Sequence, residues 1–259
     1  MTDKIRIERG GFIATVTLNN PHKLNALDKE MWHGLGEALE LLSSDDTIRC
    51  VVLRGAGGKA FAAGADISRF AEERSTPELA KEYHHTIDRA MNGINECRHP
   101  TVALIEGVCV GGGMEVASCC DMRICGESSR FGVPIKWLGI TMHYGELARV
   151  MEVVGPVIAR EILLEGAVFG VARAKEVGFV NRVVADADVE AEAYATADRI
   201  SRGAPIAARL NKKFIRRLIQ PEPITQAEHD ETYLSVETED FKTGIEAFLA
   251  KKRPDFKGR

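Results

Sequence analysis

The chain has 259 residues, 45% of them hydrophobic and 28% charged, the balance of a folded protein rather than a disordered one. A net charge of −4 at pH 7 argues against general nucleic-acid binding, which calls for a basic excess. The most apolar stretch, residues 101–120, is broken by Glu106, three consecutive glycines and Glu115, so no membrane span is expected.

The first residues lack the apolar run of a secretory signal, and their acidic character does not suit an import presequence. A cytoplasmic location is expected. Residues 5–8 and 13–18 alternate in character around Gly10-Gly11, which predicts a β-hairpin. Asn20-Pro21 marks a turn. Asp28 is a good N-cap for a helix to about residue 42, with Met31, Leu35, Leu39 and Leu42 on one face. Strands follow at 48–53 and 101–105, separated by a helix over 77–95. Further strands are predicted at 122–125 and 180–184, with helices at 144–154, 157–164 and 172–177. Strands alternating with helices imply crossover units and a largely parallel sheet, an α/β fold. From about residue 189 only helices are predicted, punctuated by Ala204-Pro205 and Pro221-Glu222-Pro223. A boundary is placed near 195, giving a core over 1–195 and a helical appendage for subunit assembly over 196–259. The basic tail, 248–259, is expected to fray.

Six cysteines (Cys50, Cys97, Cys109, Cys119, Cys120 and Cys125) lie in apolar segments with no Cys-x-x-Cys pair. They read as buried free thiols rather than disulfides or a zinc site. His84-His85 lies on a helix, where adjacent residues face different ways, so a solvated or pocket-lining face is expected rather than a metal site. The basic stripe Lys212, Lys213, Arg216 and Arg217 reads as a solvated helix face. A Gly55-x-Gly57-x-x-Ala60 string after a strand imitates a dinucleotide fingerprint, but Gly64 interrupts the helix that should follow.

Two glycine-punctuated loops carry the chemistry: residues 60–66 (Ala-Phe-Ala-Ala-Gly-Ala-Asp) and 111–115 (Gly-Gly-Gly-Met-Glu). Each follows a predicted strand and leads towards a predicted helix, a place where backbone N–H groups lack partners and a ligand can approach the main chain. Two such loops facing each other would form an oxyanion hole for a carbonyl oxygen. Glu115, in the first helical turn, could act there as acid or base, although an acidic residue in that turn also suits the helix dipole.

These residues resemble the crotonase, or enoyl-CoA hydratase/isomerase, superfamily. The match runs in order through Asn19-Asn20-Pro21 with Leu24-Asn25-Ala26-Leu27, residues 60–66, residues 107–115, Phe131-Gly132-Val133-Pro134 with Leu138-Gly139, and Phe248 with Lys252-Arg253. The resemblance implies a spiral of ββα units with a C-terminal helical trimerisation region, a homotrimer or dimer of trimers, and a coenzyme A thioester as substrate. It implies no metal and no redox cofactor, coenzyme A being part of the substrate. By position, Ala63 and Gly112 would donate to the thioester oxygen and Glu115 would be the first of two catalytic glutamates. Ala63, Ala65, Asp66 and Ile67 would border the coenzyme A, with Lys252 near its phosphates. Ile135, Trp137 and Tyr83 would shape the acyl pocket.

One departure matters. The family's hydratases carry a second glutamate directly after the proline of the Phe-Gly-x-Pro segment, and here that position is Ile135. Among His143, Tyr144 and Glu146, which border the reaction centre by position, His143 and Tyr144 are the candidates for the missing acid or base. Hydration of a 2-enoyl-CoA is the leading expectation. The alternatives are double-bond isomerisation or another lyase reaction, a silent CoA-ester-binding protein, and a dinucleotide oxidoreductase.

Overall fold

The computed structural model describes residues 2–259. The hairpin forms as expected from β1 (Ile5–Gly10) and β2 (Ile13–Leu18), antiparallel with Ile5 opposite Leu18. Helix α1 (Lys29–Ser44) begins at Asp28, whose carboxylate accepts the Met31 N–H and so satisfies one orphan donor of the first turn. Then follow β3 (Cys50–Gly55), β4 (Ala60–Ala62), the short α2 (Phe70–Glu73) and α3 (Pro77–Glu96). β5 (Thr101–Ile105), β6 (Val108–Val110) and α4 (Gly112–Cys119) form the next unit; β7 (Met122–Gly126), β8 (Arg130–Gly132) and α5 (Tyr144–Glu165) form the one after. In α5 the backbone breaks at Gly155, φ 76°, immediately before Pro156, where two separate helices were expected.

β9 (Phe169–Gly170), α6 (Val171–Glu176), β10 (Arg182–Val184) and α7 (Val189–Ser201) complete the core. Beyond it lie α8 (Pro205–Leu218), α9 (Gln226–Glu231) and α10 (Glu239–Leu249).

The strands form two sheets, one of six in the order β1-β2-β3-β5-β7-β10 and one of four in the order β4-β6-β8-β9. In the pairs β3–β4, β5–β6 and β7–β8 the first strand joins the large sheet and the second the small one, and a helix closes each turn of the spiral. β3 and β5 are buried on both faces, which is why they are apolar but for Arg54 and Thr101, and β7 is apolar but for the buried Arg123. Val51, Leu53, Ala103 and Ile105 join the main core, while Cys50, Val52, Val102 and Leu104 pack against Val189, Ala193 and Ala197 of α7. The strands of the small sheet are only two or three residues long, too short for a period-two pattern to show in sequence.

Three expectations change. A division at residue 195 cuts α7 in mid-helix, although that helix packs on the large sheet. The tail is tied down: the buried Asp240 carboxylate accepts the N–H groups of Lys257 and Gly258 at 2.7 and 2.9 Å, and Arg49 donates to the Phe256 carbonyl at 2.7 Å. The basic stripe of α8 is engaged rather than solvated. Lys212 pairs with Asp121 at 2.7 Å, Arg216 donates to the Asn95 carbonyl at 2.8 Å, and Lys213 and Arg217 meet Glu231 and Glu228. All six cysteines are free and buried, and no helix among the described residues is long and apolar enough to cross a membrane.

Asn25 joins the N-terminal segment to the turn before β4. It is fully buried at φ 57°, accepts the Asn20 N–H at 3.0 Å, and donates to the Ala56 and Ala60 carbonyls at 3.0 and 2.7 Å. Asn25→Ala should lower the denaturant midpoint, at about 1–3 kcal/mol for each buried partner left unsatisfied. His99 is fully buried, and desolvation followed by the charges of Arg209 and Arg98 brings its pKa down to about 4. The unfolded chain therefore binds a proton near pH 6.5 that the folded chain refuses. Stability should fall as pH drops from about 6.5 towards about 4. Urea titrations of His99→Phe should show a flatter pH dependence across that window.

Candidate active site

The first loop leaves β4 at Ala62. The Ala63 N–H donates to the Leu24 carbonyl at 3.0 Å, so this amide is occupied and cannot serve a ligand. That corrects the expectation for Ala63. The chain next forms a parallel bridge with Leu27: the Leu27 N–H donates to the Gly64 carbonyl at 2.7 Å, and the Asp66 N–H donates to the Leu27 carbonyl at 2.8 Å. Between those two bonds the Ala65 N–H faces the opposite side, and it has no acceptor among the described residues.

That opposite side is the second loop. A Cβ on Gly64 (φ 103°) would stand 3.2 Å from the Val110 carbonyl oxygen and 3.6 Å from the Gly112 nitrogen, which measures how closely the loops approach. Gly112 is the first residue of α4, where an amide has no intrahelical acceptor. On either side of the first turn, the Gly111 N–H donates to the Gly132 carbonyl at 2.8 Å, and the Glu115 N–H to the Gly111 carbonyl at 3.0 Å. Two unpartnered amides, of Ala65 and Gly112, thus border one cavity of about 110 Å³.

Glu115 lines this cavity at 7% exposure. Burial above all, then the negative charge of Glu146, pushes its pKa well above the usual carboxylate range, with Arg74 opposing. Arg74 lies over the rings of Phe70 and Tyr83, 4.5 and 3.9 Å from their centroids. Its buried Nε has no hydrogen-bond partner. Glu146, the third residue of α5, also lines the cavity and is 5% exposed. Its Oε2 accepts the His143 N–H at 3.0 Å and its Oε1 lies 3.4 Å from His84 Nδ1.

The other predicted residues divide. Ile135 and Ile67 line the cavity, as do Ala63 and Ala65. Asp66 sits beside it: its carboxylate accepts the Ser68 N–H and pairs with Lys23 at 2.7 Å, and the Lys23 and Ser68 contacts hold its pKa below the ordinary value. Tyr83 is not a pocket wall. It is buried, with its hydroxyl 3.4 Å from the Leu27 carbonyl, and it supports Arg74 from behind. Trp137 is 75% exposed and outside the cavity. His143 and Tyr144 are outside as well: Tyr144 is 86% exposed, and His143 stacks on His84 with ring centroids 4.8 Å apart. The helix turns their side chains outward and brings in Glu146 instead. Lys252 follows α10 on the surface and takes no part in this chain's cavity.

Arg74, Trp32 and Lys23 were missed. A lone arginine in a charged stretch carries no periodic signal, and only the fold places it over two rings. Of the histidine pair, His84 faces the cavity and His85 the solvent, as adjacent helix positions require. The glycine string at 55–60 joins β3 to β4, so no helix follows to receive a pyrophosphate. Among the described residues no group of three or more His, Cys, Asp or Glu side chains could hold a metal ion.

The sequence model of the enoyl-CoA hydratase/isomerase family matches residues 8–259. The chain belongs to that family. It is 32% identical over 257 residues to a crotonyl-CoA hydratase of Syntrophomonas wolfei, covering 98% of each chain. To a short-chain-enoyl-CoA hydratase of Clostridium acetobutylicum it is 33% identical over 264 residues, covering 99% of each. Among solved structures, an enoyl-CoA hydratase/carnithine racemase from Magnetospirillum magneticum superimposes with a TM-score of 0.98 at 47% identity, covering 100% of this chain and 97% of that one. The crotonase fold expected from the sequence is the fold observed.

The approach of the two loops is tightest at Gly113, where a Cβ would lie 2.2 Å from the Ala62 carbonyl oxygen. Gly113→Ala should push α4 away from β4 and separate the two amides. Calorimetric titration with a CoA thioester should show weakened binding, with free CoA affected less.

Proposed function

We propose that this enzyme adds water reversibly across the double bond of a short 2-enoyl-CoA. The observation that carries the proposal is the pair of unpartnered amides, Ala65 and Gly112, bordering the same small cavity as the buried Glu115. A thioester oxygen bound between two N–H donors gains most when it carries enolate charge, so the amides stabilise the transition state more than the ground state. Glu115, whose burial favours its protonated form, is the group that delivers a proton to C2. The names of the relatives, crotonyl-CoA and short-chain-enoyl-CoA hydratase, support the same reading.

Coenzyme A enters as part of the substrate, and no other cofactor is assigned. The segment 63–67 borders its adenine end, and Lys252 is assigned to its phosphates from a neighbouring subunit. Assembly into trimers or a dimer of trimers is part of the proposal. Ile215, Leu218, Ile219, Phe241, Phe248 and Leu249 leave an exposed apolar surface on the last helices, more than a lone subunit would leave uncovered. A cytoplasmic location and a role in fatty-acid metabolism complete it, the former supported by six buried free thiols. The alternative reading is double-bond isomerisation, in which one carboxylate, Glu115, carries a proton between C4 and C2.

Incubation of crotonyl-CoA in ¹⁸O-water should yield 3-hydroxybutyryl-CoA carrying one ¹⁸O. Glu115→Gln should lower that rate by ~10²–10⁴-fold. A wild-type protein that binds CoA thioesters and turns none over would instead be a binding module.

A further inference from the structure

Hydration moves two protons, one from the attacking water and one to C2, and the family's second carboxylate position is occupied by Ile135. The cavity nevertheless contains a second carboxylate. Glu146 reaches it from the first turn of α5, eleven residues further along the chain.

We infer that Glu146 is the second acid–base group of this site, replacing from helix α5 what Ile135 cannot supply. The inference rests on the hydratase reading above. Three observations carry it. Glu146 and Glu115 are both nearly fully buried, and both line the one cavity that also holds the free amides. The carboxylate is anchored by one oxygen only, to the His143 N–H, so Oε1 is left for the cavity. Beside Oε1, at 3.4 Å, is His84 Nδ1, a buried nitrogen with no hydrogen-bond partner. The histidine thus stands against Oε1 at the cavity wall without a hydrogen bond of its own.

The competing explanation is purely structural, since Glu146 completes a capping box at the start of α5. A capping glutamate does that work equally well at the surface. Here it is buried facing another carboxylate, an arrangement that works against folding and calls for a functional reason. The charged and titratable groups around it are Glu115 from α4, His84 and Asp88 from α3, His143 at the start of its own helix, and Arg74 ahead of α3.

The reaction balances with one proton shared between two carboxylates. The water oxygen bonds to C3 while Glu146 takes one of its protons. The π electrons of the C2–C3 bond move to the thioester oxygen, held by the Ala65 and Gly112 amides. The enolate then collapses, and C2 takes the proton of Glu115. The proton on Glu146 returns to Glu115 through solvent as product leaves, and no oxidant or reductant is needed.

The test compares two reactions in wild type, Glu146→Gln and Glu146→Asp. Crotonyl-CoA hydration needs both carboxylates. Exchange of the C2 protons of butyryl-CoA with deuterium oxide needs the amides and the ionised fraction of Glu115 as base. Glu146→Gln should lose ~10²–10⁴-fold in hydration kcat with KM little changed, and should keep C2 exchange. Glu146→Asp, which retains the charge one methylene further back, should fall between the two. Equal hydration by Glu146→Gln overturns the inference and leaves the hydratase reading intact. Parallel loss of hydration and exchange overturns it too, in favour of the structural role. Wild type that exchanges C2 protons but hydrates no 2-enoyl-CoA removes the hydratase reading itself.

Discussion

The parallel bridge between Leu27 and Ala65 holds the first loop by the Gly64 carbonyl and the Asp66 amide, and in doing so turns the Ala65 N–H towards the second loop. A strand exposes its hydrogen-bonding groups alternately to its two neighbours, so the choice is forced by register. The Ala63 amide is likewise held by Leu24. The segment Leu24–Leu27 therefore acts as a template, occupying the Ala63 and Asp66 amides and leaving that of Ala65 without an acceptor. Asn25 in turn holds that segment to the carbonyls of Ala56 and Ala60. A site built from main-chain donors has no side chain to adjust, so its accuracy depends on these supporting bonds.

Electrostatics supply the second constraint. Burial, and after it the charge of Glu146, both favour the protonated form of Glu115. Arg74 eases the arrangement without forming an ion pair with either; its guanidinium is held by the faces of Phe70 and Tyr83. Tyr83 thus contributes to the site through the position of a charge rather than through contact with an acyl chain.

Much of this was legible from residues alone. The hairpin, the cap at Asp28, the break in α5 and the double-faced burial of the parallel strands follow from alternation, capping chemistry and continuous apolar runs. The pairing of two glycine loops was legible from their composition. Which amide of Ala-Ala-Gly-Ala stays free was not, because it depends on the register of Leu27, a contact 38 positions away in sequence. For Tyr83, Trp137, His143 and Tyr144, a place in the family's pattern does not tell which way a side chain points, because neighbouring residues face different ways. The tail was judged from charge and position, whereas Asp240 holds it by two backbone amides.

Ile135 acquires a different meaning in this setting. It packs against the main core and forms a wall of the cavity. An apolar wall there lowers the local dielectric, which strengthens the hold of two amide dipoles on a developing enolate and raises the proton affinity of a neighbouring carboxyl. A charged group at the same place would draw water into a cavity of about 110 Å³ and weaken both effects. Moving the second carboxylate from the short segment after Pro134 to the first turn of a 22-residue helix also fixes it more firmly, because a helix end anchored by its own capping bond leaves the side chain little freedom. The apolar Ile135 after Pro134 and the buried Glu146 then act together: the acid–base group is presented from the more rigid element, and the wall beside it keeps the cavity drier.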